Sequence, residues 1–167
     1  MQEFPLPDQR CLEAAEGWLG LGDYLSAEKE LEELTPHLRA HPQVLSLRYM
    51  ICHDASQWDR AADLAGTLVK RLPEDCENWV KWAFATRRKI GGSIVEAKGI
   101  LTEAAAKFPA AFLIRYNLAC YECQLGNLNE ALRWLKQAFD LAGPMNVRSM
   151  ALNDPDLEPL RNRISEI

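Results

Sequence analysis

Histidine is scarce in this chain, three in 167 residues, and glycine and proline stand at nine each, scattered rather than gathered. Three histidines, none in a Ser/His/Asp or Cys/His pattern, leave few side chains for general acid–base chemistry near neutrality. The scatter of glycine and proline excludes a long flexible linker or a low-complexity tract. There is no run of five like charges, and the net charge is −5 with a pI near 5.3. The basic footprint that nucleic acid or an anionic membrane surface demands is therefore missing.

No window reaches the roughly 18 apolar residues of a membrane span. Residues Met1 to Pro7 hold neither a basic stretch nor an apolar run of signal length. Five cysteines, Cys11, Cys52, Cys76, Cys120 and Cys123, form an odd set in a chain large enough to bury a core without disulfides, so they are expected to be reduced thiols. These absences predict a soluble, cytoplasmic, mostly folded protein with no nucleic-acid or membrane partner.

What is present is a repeat. Ala27, Ala61, Ala97 and Ala131 fall 34, 36 and 34 residues apart. Leu31, Ala65, Leu101 and Leu135 keep the same intervals, as do Leu34, Leu68, Ala104 and Ala138. A further column, Ala15, Tyr49, Ala83 and Ala119, is spaced 34, 34 and 36, which places the two surplus residues between Ala83 and Ala97, at Gly91-Gly92. Strand signals are absent, and each unit is predicted to be two amphipathic helices that approach closely where the alanine columns remove side chains. Gly22 and Gly126 stand where a first helix needs a left-handed end, and Pro73 and Pro109 close second helices.

The predicted helices are 8–20 and 25–39, 42–54 and 58–72, 76–89 and 94–107, 111–124 and 128–142. A short ninth helix over 145–152 follows, and Asn153-Asp154-Pro155-Asp156 offers start signals for a last one. The expected organisation is an N-terminal arm over 1–7, four repeats at about 8–41, 42–75, 76–111 and 112–143, and a C-terminal cap over 144–167.

Small residues in mid-helix, Gly before the turn, Ala early in the second helix and Pro at the unit's end resemble the tetratricopeptide repeat (TPR) family, in the manner of a small bacterial member. The residues that carry the resemblance are Ala119, Gly126 and Ala131, and Ala61 with Pro73. It covers about residues 8–143, with departures at Ser56, where Gly is usual, at the Gly91-Gly92 insertion, and at Arg39 and Gly143, where the final Pro is missing. The implied fold is all-α: a right-handed superhelical solenoid of four TPR-like helix-turn-helix repeats plus a C-terminal capping helix or helices. The implied function is non-catalytic: a protein-protein interaction module, or scaffold, that binds a peptide or protein segment in its concave groove, lined by the first helix of each unit. The partner is then a protein or peptide, and the chain itself a monomer or weak homodimer.

Groove-facing positions carried over from the family are Leu12, Glu16 and Leu19 in unit one and Ser46, Met50 and His53 in unit two. Unit three contributes Val80, Lys81, Phe84, Arg87 and Arg88, and unit four Tyr116, Asn117, Cys120 and Cys123. Charge is uneven along this line, with Glu13 and Glu16 at one end and the three cations of unit three further on. Lys81, Arg87 and Arg88 are expected to receive an acidic group while Met50, Phe84 and Tyr116 bind apolar side chains. The carboxylate-clamp subset of the family is disfavoured, because Leu12, Glu16 and Leu47 stand where it uses Lys and Asn. A secretion-type chaperone is an alternative, since such proteins are also small and acidic.

Cysteine chemistry and metal binding are weighed against this. Cys120-Tyr-Glu-Cys123 has the CxxC spacing of a redox pair, but both thiols sit mid-helix, away from the helix start that would lower a pKa. A four-cysteine zinc site lacks a second pair, and Pro42 pushes His41 out of the i,i+4 helical register with His37. Neither a cofactor nor a metal is expected, and the five tryptophans, Trp18, Trp58, Trp79, Trp82 and Trp134, are expected to pack in the core. The apolar, proline-bounded Phe4-Pro5-Leu6-Pro7 resembles a ligand for the groove of its own or a neighbouring chain, with plain disorder at a terminus as the other, favoured reading.

Overall fold

The computed structural model describes residues 4–166, with the side chains of 144–146 left aside. Every regular element among them is helical. Four antiparallel pairs follow in order: α1 (Leu6–Gly20) with α2 (Tyr24–Glu33), α3 (Pro42–Asp54) with α4 (Trp58–Arg71), α5 (Cys76–Arg88) with α6 (Ile94–Lys107), and α7 (Phe112–Gln124) with α8 (Leu128–Ala142). Then come α9 (Pro144–Asn153), a 3-10 segment Pro155–Leu160 and the short α10 (Arg161–Ile164). Each helix packs on its pair-mate, and each pair packs on the next through α2 on α3, α4 on α5 and α6 on α7, so the chain is an all-α repeat solenoid.

The turns follow from local chemistry. Gly22 (φ 76°) and Gly126 (φ 82°) take the left-handed conformation that ends α1 and α7, and Ser56 (φ 55°) is forced into it after α3. Asp23, Asp75 and Ser93 then cap α2, α5 and α6 by accepting backbone N–H groups of Ser26, Glu77 and Glu96.

Two predicted boundaries are corrected. Pro7 occupies the first turn of α1, where its missing N–H goes unused, so α1 starts at Leu6 and not at residue 8. The second helix stops at Glu33 and not at 39, because Pro36 drives Thr35 to extended backbone (ψ 128°) and only a 3-10 turn, Pro36–Leu38, follows. Asp8 closes this break: its carboxylate accepts from the Thr35 N–H (2.7 Å) and hydroxyl (3.0 Å).

The core forms three clusters. One joins α1, α2 and α3 around Leu12, Leu31, Leu34 and Val44; a thin middle one holds Tyr49, Cys52, Ala61, Ala62, Ala65 and Ala85. The largest runs from Val69 and Trp79 through α6, α7 and α8 to Leu157, Leu160 and Ile164. Ala15, Ala27, Ala61, Ala83, Ala97, Ala119 and Ala131 have no exposed surface, as the close-approach columns require. Trp79 is buried, while Trp18 is 38% exposed with its indole N–H reaching Glu30 (3.4 Å), a correction to the expectation that all five tryptophans pack inside. The arm is shorter than expected as well: Leu6 and Pro7 belong to α1, and Phe4 sits edge-on to His41 with ring centroids 4.8 Å apart.

Candidate groove between the first helices

The first helices α1, α3, α5 and α7 carry every predicted groove residue, but the structure does not leave them equally accessible. Leu12 is 5% exposed and belongs to the first core cluster, with Leu19 packed against it; Glu16 is at the surface. Tyr116, Cys120 and Cys123 are also buried, at 5%, 3% and 3% exposure. Leu12, Tyr116, Cys120 and Cys123 are therefore not free contact points for a ligand. Asn117 turns its amide back to the Leu113 carbonyl (2.8 Å).

The cover over unit four is the chain's own tail. Tyr116 donates its hydroxyl to Asp154 (2.7 Å), and the Cys120 thiol lies 3.5 Å from the same carboxylate oxygen. Both terminal nitrogens of Arg87 bind the carboxylate of Asp156, and the Gln124 amide donates to the Asp156 carbonyl (3.0 Å). Asp154 also caps the segment by accepting the Asp156 N–H (2.9 Å). Leu157, Leu160 and Ile164 have no exposed surface, and burying each contributes roughly 1.5–3 kcal/mol. The tail is thus built into the inner face of units three and four. Arg87, predicted to receive an acidic group from a partner, receives one from residue 156 of the same chain.

Between α3 and α5 the inner surface is open. Tyr49, Met50, His53, Asp54, Glu77, Val80, Lys81 and Phe84 line a concavity of about 520 Å³. Met50 is 47% exposed. Its wall is aromatic: the rings of His53 and Phe84 are 5.4 Å apart, His53 and Trp58 5.4 Å, and Trp58 and Phe84 5.8 Å. The Arg88 guanidinium lies 3.5 Å above Phe84 and 5.6 Å from Trp58, and donates to the Phe84 carbonyl (3.1 Å). Lys81 reaches the Ser46 hydroxyl (3.4 Å) and the Tyr49 ring (5.8 Å). Trp58, expected from sequence in the core, packs on the rings of His53 and Phe84 beside the concavity without lining it.

Chemistry beyond binding finds little here. Burial, reinforced by Asp154 and Asp156, pushes the Cys120 thiol far up, and Cys123 is raised by the same causes. A nucleophilic or redox-active thiolate needs the reverse. Burial also pushes Tyr49 up to about 12 and lowers Arg88, whose neighbour Arg87 adds to the effect. Among the described residues no group of three or more His, Cys, Asp or Glu side chains is gathered as a metal site, and no helix is long and apolar enough to cross a membrane.

Solved structures with the same architecture are found at low identity. MamA from Desulfovibrio magneticus RS-1 superposes with a TM-score of 0.71 at 15% identity, covering 98% of this chain and 94% of that one. A thermophilic TPR protein of Thermus thermophilus gives 0.65 at 19%, covering 95% and 97%. The chain has the tetratricopeptide-repeat fold. No protein-family profile and no curated protein sequence matches this TPR-type chain.

Proposed function

We propose that this protein is a non-catalytic interaction module that holds a segment of a partner protein along its inner face, in the stretch between α3 and α5. The observation that carries this reading is the open concavity of about 520 Å³ with Met50, Val80 and Phe84 at its surface. Apolar side chains gathered in a concavity are the usual mark of a binding site on an otherwise polar surface. The inner face of units three and four already holds an irregular segment, the tail, so this surface is shaped to take such a chain. The binding site is accordingly narrower than the full groove and centres on Met50, His53, Val80, Lys81, Phe84 and Arg88.

Affinity capture from the source cells with the full chain, compared with Phe84→Ala/Arg88→Ala and with the outer-face control Lys136→Ala, tests this. Wild type and Lys136→Ala should retain the same partners, and the double variant, with an unchanged helical circular dichroism spectrum, should lose them. An identical set for all three proteins overturns the reading.

A further inference from the structure

The three cations expected to draw an acidic ligand are engaged within the chain. Both terminal nitrogens of Arg87 bind Asp156, so that charge is matched. Arg88 stacks on Phe84 and donates to its carbonyl (3.1 Å), outside the lining of the concavity. Lys81 does line it, but its ammonium reaches the Ser46 hydroxyl (3.4 Å) and lies 5.8 Å from the centre of the Tyr49 ring. Against this one cation the concavity sets two exposed carboxylates, Asp54 and Glu77.

The acids continue along the groove. Two steps of 34 residues carry Glu16 to Met50 and Phe84, so Glu16 holds in unit one the register of the apolar pair in units two and three. Glu13 precedes it by one turn, and both are exposed on α1. Among the described residues no Lys or Arg makes an ion pair with Glu13, Glu16, Asp54 or Glu77. Glu13 accepts from the Gln9 amide (3.1 Å), and Asp54 lies 2.7 Å from the His53 ring nitrogen. The tail shuts the other end of the groove over unit four. What stays open therefore runs from two carboxylates in unit one to the floor of Met50, Val80 and Phe84, with two more carboxylates at its rim. Such a face attracts cations, and its floor takes an apolar side chain.

We infer that the inner face of units one to three takes a basic partner segment, with one apolar side chain seated on Met50, Val80 and Phe84 and a Lys or Arg over Glu13 and Glu16. α1 and α3 lie side by side. Packed helices stand roughly 8–10 Å apart and an extended chain advances about 3.3 Å per residue, so the two side chains belong about three residues apart. A second cation meets Glu77 or Asp54 at the rim. An acidic segment would face all four carboxylates, with Lys81 alone inside the concavity to receive it. This rests on the reading of the α3–α5 stretch as the binding surface.

The test is selection of a displayed random peptide library on the immobilised full chain, with Phe84→Ala and Glu13→Lys/Glu16→Lys as parallel baits. Glu13 and Glu16 are exposed, so their reversal leaves the fold intact, and circular dichroism checks this for each bait. Wild type should enrich peptides that carry an apolar residue with a Lys or Arg about three positions away. A synthetic copy of the leading peptide should shift the Met50 methyl signal in NMR and bind Glu13→Lys/Glu16→Lys roughly tenfold more weakly. Peptides that need Phe84 but carry no excess of cations, or that bind the charge-reversed chain equally, overturn the basic assignment and leave the groove reading standing. Peptides that hold Phe84→Ala as well as wild type bind elsewhere, and no enrichment over a blank surface means no such segment is recognised; either result overturns the inference. The groove reading fails with it only if Phe84→Ala/Arg88→Ala also retains every captured partner.

Discussion

Arg87 clasps Asp156 through both terminal guanidinium nitrogens, joining the inner helix of the third pair to a segment 69 residues later in the chain. Both side chains are less than a third exposed, at 18% and 27%, so the pair lies between a screened surface bridge and a desolvated one. The carboxylate raises the affinity of Arg87 for its proton, against the cost of burial. By this contact a cation that the repeat places in the groove is turned to holding the end of the solenoid.

Breaking the pair should loosen the tail. Asp156→Asn or Arg87→Ala is expected to cost about 1.5–3 kcal/mol, the range for hydrogen bonds to charged groups. The double variant should cost clearly less than the sum of the two, because the contact is lost once. Urea unfolding of the three variants measures this; strict additivity would show that the contact contributes nothing.

The repeat itself was legible in the sequence, since close helix approach demands small residues at fixed intervals. Ala27, Ala61, Ala97 and Ala131 are all fully buried, and so is the Leu31, Ala65, Leu101 and Leu135 column. The early end of α2 followed from Pro36 and could have been read there. The tail could not. Asp154-Pro155-Asp156 announces a helical start, but nothing local says that its two carboxylates meet Tyr116 and Arg87. That pairing depends on how the last turn after α9 aims the chain, and it is why Tyr116, Cys120 and Cys123, at good groove positions, are covered.

Backbone geometry gives three substitutions of opposite sign. Ser56 is held at φ 55° where the equivalent turns use Gly, so Ser56→Gly should stabilise by about 1 kcal/mol. Gly99 lies exposed inside α6 with open space around a would-be Cβ, and Gly99→Ala should gain roughly 0.5–1 kcal/mol. At Gly92 a Cβ would fall 2.0 Å from the Thr86 carbonyl oxygen and 3.0 Å from that of Lys89, so Gly92→Ala should be strongly destabilising. Thermal melts should rank the variants in that order, at about 2–4 °C per kcal/mol for a chain of this size.

Stability should fall on the alkaline side. Burial raises the folded-state pKa of Cys52, Cys120 and Cys123 above the thiol value of 9.0, and holds Tyr49 and Tyr121 at about 12. Above pH 9 the unfolded chain loses these protons first, so the native state binds more protons and the free energy of unfolding falls as pH rises. The contribution is fully present below pH 9 and is lost progressively above it. Chemical denaturation at pH 7, 9 and 10.5 should show this decline, and Cys11, half-exposed at α1, should react with a thiol reagent well before Cys120. Fast modification of Cys120 in the folded chain would contradict it.

The first helix pair depends on one buried carboxylate. Asp8, 5% exposed, accepts from both the N–H and the hydroxyl of Thr35, at the point where Pro36 has ended α2 and left that N–H without a helical acceptor. Asp8→Ala leaves the amide unpaired and should cost about 2 kcal/mol, whereas Asp8→Asn keeps one acceptor and should cost less. Thr35→Val removes only the hydroxyl bond, so it should be the mildest of the three. Hydrogen exchange at the Thr35 amide separates the mechanisms: it should accelerate in Asp8→Ala and stay slow in Thr35→Val. Unchanged exchange in Asp8→Ala would mean that packing of Leu31 and Leu34, and not this carboxylate, holds the break after α2 closed against α1.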